Sequence, residues 1–198
     1  MAFQVLCVCT GNICRSPTAE RLLRHQLAQR LDAGRRDGLS SPIVVTSAGT
    51  GALVGEPIQE HAAALLAGGG VDTSGFMARS VSSALIEEAD LILAMTRWHR
   101  ADCATLVPTS VPRLFTLREF ARLAGAAAPE LPQSDDVAGR ARALVPAAAA
   151  KRGLVRAACP GDDDVADPYG GPANGYREPY ESIVSACLEI VRALTGPE

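Results

Sequence analysis

Val8-Cys9-Thr10-Gly11-Asn12-Ile13-Cys14-Arg15-Ser16-Pro17 is the stretch that decides how this chain folds. It follows a short apolar run, Phe3 to Val8, that reads as a buried strand. It leads into Ala19, Leu22, Leu23, Leu27 and Leu31, which recur at helical spacing. Ser16 is expected to cap that helix, with Pro17 at its first helical position. A strand therefore runs through a tight loop into a helix N-terminus, where backbone N–H groups converge and bind anions.

Each residue type in the loop has a physical task there. Gly11 and Asn12 tolerate the positive φ that such a curl needs. Arg15 can grip two phosphoryl oxygens with its planar fork. Cysteines in such positive settings titrate at ~3.5–7.5 instead of ~8.5. A thiolate at Cys9 beside a bound phosphate would be a nucleophile in line with phosphorus. Cysteine and arginine at this spacing arise by chance in about one of every two such chains, so the strand, the Gly-Asn pair and the helix start carry the signal.

Beyond the loop, Ile43 to Thr46 reads as a second strand and Leu91 to Met95 as a third. Val111 to Phe115 reads as the fourth. Helices are expected over Pro57 to Leu66, Ser83 to Ala89, Arg97 to Leu106 and Tyr180 to Leu194. Gly34 to Ser41 reads as a polar loop. Strands alternating with helices predict an α/β fold. The parallel sheet should be covered by helices on both faces, with the phosphate-binding loop between strand 1 and helix 1. From about residue 118 to 166 there is no strand signal. Two modest helices are expected near that stretch, roughly Leu117 to Ala124 and Asp136 to Leu144, and Asp162-Asp163-Asp164 reads as a solvated loop.

The totals narrow the function. The 198 residues suffice for one domain with a real core, 47% hydrophobic but only 4% aromatic. A net charge of −3 argues against nucleic-acid binding through a basic field. No run approaches the ~20 apolar residues of a membrane span, and Met1-Ala2-Phe3-Gln4 has no basic start of a signal peptide. The expected compartment is the cytoplasm, with six reduced cysteines.

Several residues have plainer readings. Cys7 is mid-strand and reads as core; Cys103, Cys159 and Cys187 read as structural. A zinc site on Cys7, Cys9 and Cys14 lacks a fourth ligand, so no metal is expected. Cys14 is either filler or the partner of Cys9 in a reversible protective disulfide. His25, His61 and His99 sit in unrelated helices, and none makes a convincing base. A phosphoryl-transfer enzyme needs a proton donor for its leaving oxygen, and Asp167-Pro168-Tyr169-Gly170-Gly171 supplies the candidate.

Taken together, Cys9 through Pro17 and Asp167-Pro168-Tyr169 resemble the low molecular weight protein tyrosine phosphatases. Ser47-Ala48-Gly49-Thr50 and Ala94-Met95-Thr96 match the bacterial members, and the resemblance covers roughly 3–117 and 165–198. It implies a single domain over 1–198, a four-stranded parallel sheet and no cofactor. It implies that Cys9 forms a phosphocysteine while Arg15 and the amides of Thr10, Gly11, Asn12, Ile13 and Cys14 hold the phosphoryl group. Ser16 would hydrogen-bond the Cys9 sulfur, and Asp167 would be the general acid and then the base. Asn12, with Ser47 among its partners, would hold the loop, and Tyr169 would wall the slot for the substrate ring. The implied partner is a tyrosine-phosphorylated protein, such as a bacterial tyrosine kinase.

Three departures from the family pattern stand out. Phe76 occupies the place of a histidine that many relatives use behind Asn12, and Leu53 that of an aromatic wall residue. The segment at about 118–166 reads as an insert before the acid loop. The same loop also serves arsenate reductases and protein-arginine phosphatases. The first need a close pair of further cysteines, which Cys103 and Cys159 do not make. The second place threonine where Ile13 stands, and an apolar side chain suits a phenyl ring better than a guanidinium. A non-catalytic phosphotyrosine-binding module would not need Cys9, Arg15 and Asp167 together.

Overall fold

β1, Phe3–Cys9, is apolar at nearly every position, so it is stable only where both faces are covered. The computed structural model describes residues 2–32, 43–132 and 136–196. There β1 lies between β2, Ile43–Gly49, and β3, Leu91–Ala94, with β4, Leu114–Thr116, beyond β3. Every pairing is parallel, in the order β2-β1-β3-β4. The expected four-stranded parallel sheet is the one found. Because the chain moves to one side of β1 for β2 and to the other for β3, the sheet opens at the carboxyl end of β1, where α/β proteins bind ligands.

The side-chain period of two divides the core. Phe3, Val5, Cys7 and Cys9 face one layer, packed by α1 (Arg15–Asp32), α2 (Glu60–Gly68), α5 (Leu117–Ala127), α6 (Val137–Ala150) and α7 (Arg177–Thr195). Leu6 and Val8 face a smaller layer under α3 (Ser83–Glu88) and α4 (Arg97–Leu106). Both sheet faces are therefore covered. Among the described residues no helix is long and apolar enough to cross a membrane.

Several expectations need correction. The first helix starts at Arg15, so Ser16 lies inside it and spends its hydroxyl on Cys9 rather than on a cap. Val111 to Arg113 belongs to a 3₁₀ turn, Pro108–Arg113, and the fourth strand is only Leu114–Thr116. Two prolines in six residues remove the donors a strand would need. The second helix begins at Glu60 behind a Gln59 cap, not at Pro57. The last begins at Arg177, a turn before Tyr180. The expected loop at Gly34 to Ser41 lies outside the described residues.

The segment at about 118–166 is built into the larger layer. Ala141, Leu144 and Ala148 of α6 are fully buried in it. Arg140 is buried too, and its guanidinium donates to the carbonyls of Ala193, Pro132 and Ala128. It thereby ties together carbonyls near the C-terminal ends of α5 and α7, where helical carbonyls lack the full set of intrahelical donors. Asp162, Asp163 and Asp164 are not a solvated loop. Asp162 accepts from Cys159 N, Asp163 pairs with Arg122, and Asp164 clasps the backbone N and guanidinium of Arg97. Hydrogen bonds from Arg97 hold the Asp164 carboxyl below its ordinary pKa, although partial burial pulls the other way.

Candidate active site

The loop Cys9–Cys14 takes its shape from where its carbonyls point. Those of Cys9, Thr10, Gly11 and Ile13 accept from the N–H groups of Thr50, Gly51, Leu53 and Gln59 at 2.8–3.1 Å. The loop is thus tied outward to the chain that follows β2. The N–H groups of Gly11, Ile13 and Cys14 have no partner among the described residues. A curl with its carbonyls pinned outward turns its amides toward the concave side, where an anion fits. Only Asn12 uses a positive φ, 54°; Gly11 does not, contrary to expectation.

Gly49 matters for another reason. A β-carbon there would collide with the Thr10 carbonyl oxygen and come within 3.0 Å of Asn12 N. Gly49→Ala should therefore cost about 1–3 kcal/mol by overpacking and disturb the loop. A thermal melt together with aryl phosphate turnover checks this, and wild-type values in both would refute the close-approach argument.

Asn12 is fully buried, and both its amide hydrogens and its amide oxygen have partners. Its Nδ2 donates to Ser16 Oγ at 2.9 Å and Ser47 Oγ at 2.8 Å, and its Oδ1 accepts from Arg79 N at 2.8 Å. Ser47 in turn donates to Glu20 Oε2 at 2.7 Å. The acceptor-only carboxylate fixes the direction of the whole chain. Ser47 must donate to Glu20 and accept from Asn12. Ser16 then accepts from Asn12, and its own proton lies within reach of Cys9 Sγ at 3.0 Å and of the Ala48 carbonyl at 3.4 Å. Phe76 is not part of this network; it lies under the Arg21 guanidinium, 5.7 Å from its ring centre. The missing histidine thus leaves Asn12 fully partnered. Sequence reading did not find Glu20 or Arg79, because their spacing from Asn12 follows no local period.

Cys9, Thr10, Gly11, Ile13, Cys14 and Arg15 line a cleft of about 190 Å³, with Leu53, Asp167 and Tyr169 on its sides. Asn12, Ser16 and Ser47 lie buried behind it. Leu53 and Tyr169 are exposed at its mouth. Burial first, opposed by a hydrogen bond from Tyr176, leaves the Cys14 thiol pushed up to about 11, so it is neutral at neutral pH.

Arg15 is the buried cation of the cleft. Its Nη2 meets Asp167 Oδ2 at 2.6 Å, and its Nη1 donates to the Val165 carbonyl at 3.3 Å. Its Nε is buried and has no partner among the described residues. Such an orphaned charged donor is costly unless something accepts from it. Asp167 sits 50% exposed above it. Tyr169 N bonds Asp167 Oδ1, Gly171 N bonds the Pro168 carbonyl, and Gly170 has φ 76°, so the acid loop is the tight turn expected. The loop is moored by Val165 N on the Met95 carbonyl at 2.8 Å.

His99, read as structural, supports the cleft from behind. Its two ring nitrogens lie 2.8 Å from the hydroxyls of Thr10 and Thr96. Burial, then the Arg15 charge, pushes its pKa down to about 4 from 6.5. Between those values the unfolded chain binds a proton that the folded one does not, so stability falls as pH drops from 6.5 toward 4. The full loss is on the order of 3 kcal/mol. Denaturant melts at pH 7 and pH 4.5 should differ less in His99→Gln than in wild type; an equal difference would exclude His99 as the cause.

Known proteins resemble this chain in sequence and fold. A model of the low molecular weight phosphotyrosine protein phosphatase family matches residues 4–136. The chain is 37% identical over 116 residues to the probable low molecular weight protein-tyrosine-phosphatase EpsP of Ralstonia nicotianae, which is 59% of this chain and 71% of that protein. It is 38% identical over 104 residues to the low molecular weight protein-tyrosine-phosphatase Etp of Escherichia coli strain K12, covering 52% of this chain and 62% of Etp. Among solved structures, the low molecular weight protein tyrosine phosphatase from T. tengcongensis superposes with a TM-score of 0.67 at 26% identity, covering 96% of this chain and 99% of that one. The YwlE arginine phosphatase from Geobacillus stearothermophilus, 24% identical with a TM-score of 0.64 over 96% of this chain and 91% of its own, shares the fold.

Proposed function

Because the chain belongs to the low molecular weight phosphotyrosine protein phosphatase family, we propose that it hydrolyses phosphotyrosine in proteins through a phosphocysteine on Cys9. The observation that carries this reading is that Arg15, whose buried Nε has no partner among the described residues, lines the same cleft as Cys9. A phosphoryl oxygen supplies the acceptor it lacks, and the free loop amides take the other oxygens.

In the first step Cys9 sulfur attacks phosphorus and the P–O bond to the tyrosyl oxygen breaks. The phosphoryl group takes over the Arg15 donor that pairs with Asp167. Asp167, released from Arg15 and protonated by the proton that the Cys9 thiol gives up on becoming a thiolate, hands that proton to the departing phenolate. In the second step water attacks the phosphocysteine, Asp167 receives its proton, and the Cys9–phosphorus bond breaks. Ser16 steadies the sulfur through the hydroxyl proton that the Glu20–Ser47–Asn12 chain leaves to it. Ile13, Leu53 and Tyr169 give the ring an apolar slot. We read 1–198 as one phosphatase domain, with 118–166 as an addition to it. We place the protein in the cytoplasm, with a bacterial tyrosine kinase as its physiological substrate.

Turnover of an aryl phosphate and of phosphotyrosyl and phosphoarginyl peptides tests the assignment. Phosphotyrosine should be preferred, and Asp167→Ala should lower kcat by roughly 10²–10⁴-fold, the usual contribution of a positioned acid. Undiminished turnover in that variant removes Asp167 from its role. Preference for phosphoarginine would overturn the substrate.

A further inference from the structure

A second cleft, of about 680 Å³, opens between α4 and α5 and is closed by the residues after α6. Five arginines line it: Arg97, Arg100, Arg122, Arg152 and Arg156. The carboxylates that answer them are Glu119, between Arg100 and Arg152, Asp163 on Arg122, and Asp164 on Arg97. Five guanidiniums against three carboxylates leave two positive charges in surplus, in a chain whose net charge is −3. Arg156 has no carboxylate partner among the described residues; its Nε reaches only the Gly153 carbonyl.

Guanidiniums repel one another, and gathering five around one cleft costs free energy unless an anion is shared between them. Arg152 is also fixed in direction, stacked 4.0 Å over the buried Phe115 ring and tied to the Leu114 carbonyl. Arg122 is fixed by Asp163 and the Val155 carbonyl. These are held forks and not loose surface side chains. Between them the cleft offers apolar surface from Ala101, Ala104, Val111 and Leu123.

The geometry points to a second anion site here, for a small molecule bearing two or more linked phosphate groups, whose occupancy slows catalysis. The link runs through the acid loop. Arg122 and Arg97 hold Asp163 and Asp164, and Val165, next along, is moored to Met95 and accepts from Arg15. A bound polyphosphate takes donors from those two arginines and so loosens the segment that sets Asp167 over Cys9. This second half rests on reading Asp167 as the acid; the binding half does not.

Inorganic pyrophosphate is the probe. In calorimetry on protein whose cysteine cleft is saturated with an aryl phosphonate, one pyrophosphate site should remain. Arg156→Gln and Arg100→Gln should each weaken it about tenfold or more, as expected for one charge-assisted contact. No heat on the blocked protein, or unchanged affinity in both variants, overturns the site. In turnover, pyrophosphate raises KM in all proteins by competing at the Cys9 loop. It should lower kcat in wild type, and the same fall in Arg156→Gln should need about tenfold more pyrophosphate, as for its binding. A kcat that never responds, with binding intact, overturns the coupling and leaves Asp167 to be judged by its own variant.

Discussion

Cys9→Ser lowers kcat for an aryl phosphate by roughly 10⁴-fold or more, the scale on which removal of a covalent nucleophile is felt, and leaves phosphate binding in place. A serine hydroxyl is a far weaker nucleophile than a thiolate, yet it alters none of the parts that would hold the anion. Those parts are the loop amides, whose carbonyls are pinned by residues 50 to 59, and the Arg15 guanidinium. Ser16 still meets a hydroxyl in place of the sulfur 3.0 Å away. The measurements are single-turnover kinetics for a phosphoenzyme and calorimetry with phosphate. Residual turnover within tenfold of wild type would rule Cys9 out as nucleophile. Loss of phosphate affinity along with turnover would show that the variant damages the loop and not the chemistry alone.

Arg15→Lys should lower kcat/KM by about 10²–10³-fold, comparable to losing a donor aimed at developing charge. The substitution keeps the charge and loses the fork. In the structure one guanidinium reaches the Val165 carbonyl and Asp167, and its buried Nε has no partner among the described residues. An ammonium on a flexible stem reaches one or two of these, so the phosphoryl group and the acid loop compete for it. Steady-state kinetics with a transition-state-like oxyanion such as vanadate as inhibitor separate the terms. Vanadate affinity should fall in parallel with kcat/KM. If vanadate binds the lysine variant as tightly as wild type, Arg15 acts only by mooring Asp167.

Much of the fold follows from short-range pattern. β1, β3 and α4 lie where apolar runs and helical spacing put them, and α4 spans Arg97–Leu106 as read. The strand–loop–helix at Cys9 to Pro17 was legible for the same reason: its glycine, asparagine, arginine and strand flank act within a few residues. The prolines at 108 and 112 misled the strand reading, because the apolar run around them outweighed the lost donors. Ser16 misled the cap reading, because nothing local says that its hydroxyl turns to a sulfur seven residues earlier.

Sequence alone thus determined the nucleophile candidate, the anion-loop candidate and the parallel α/β class, all of which depend on backbone preference and side-chain period within single elements. Tertiary structure alone decided what holds them. Asn12 is braced by residues 35 and 67 positions away, and Arg15 meets Asp167 across 152. Asp163 and Asp164, before the acid loop, became anchors because α5 and α4 present arginines to them. Such partners are set by which surfaces the packed layers bring together. No local period encodes them, since hydrogen bonds and ion pairs act over a few ångströms in space and are indifferent to distance along the chain.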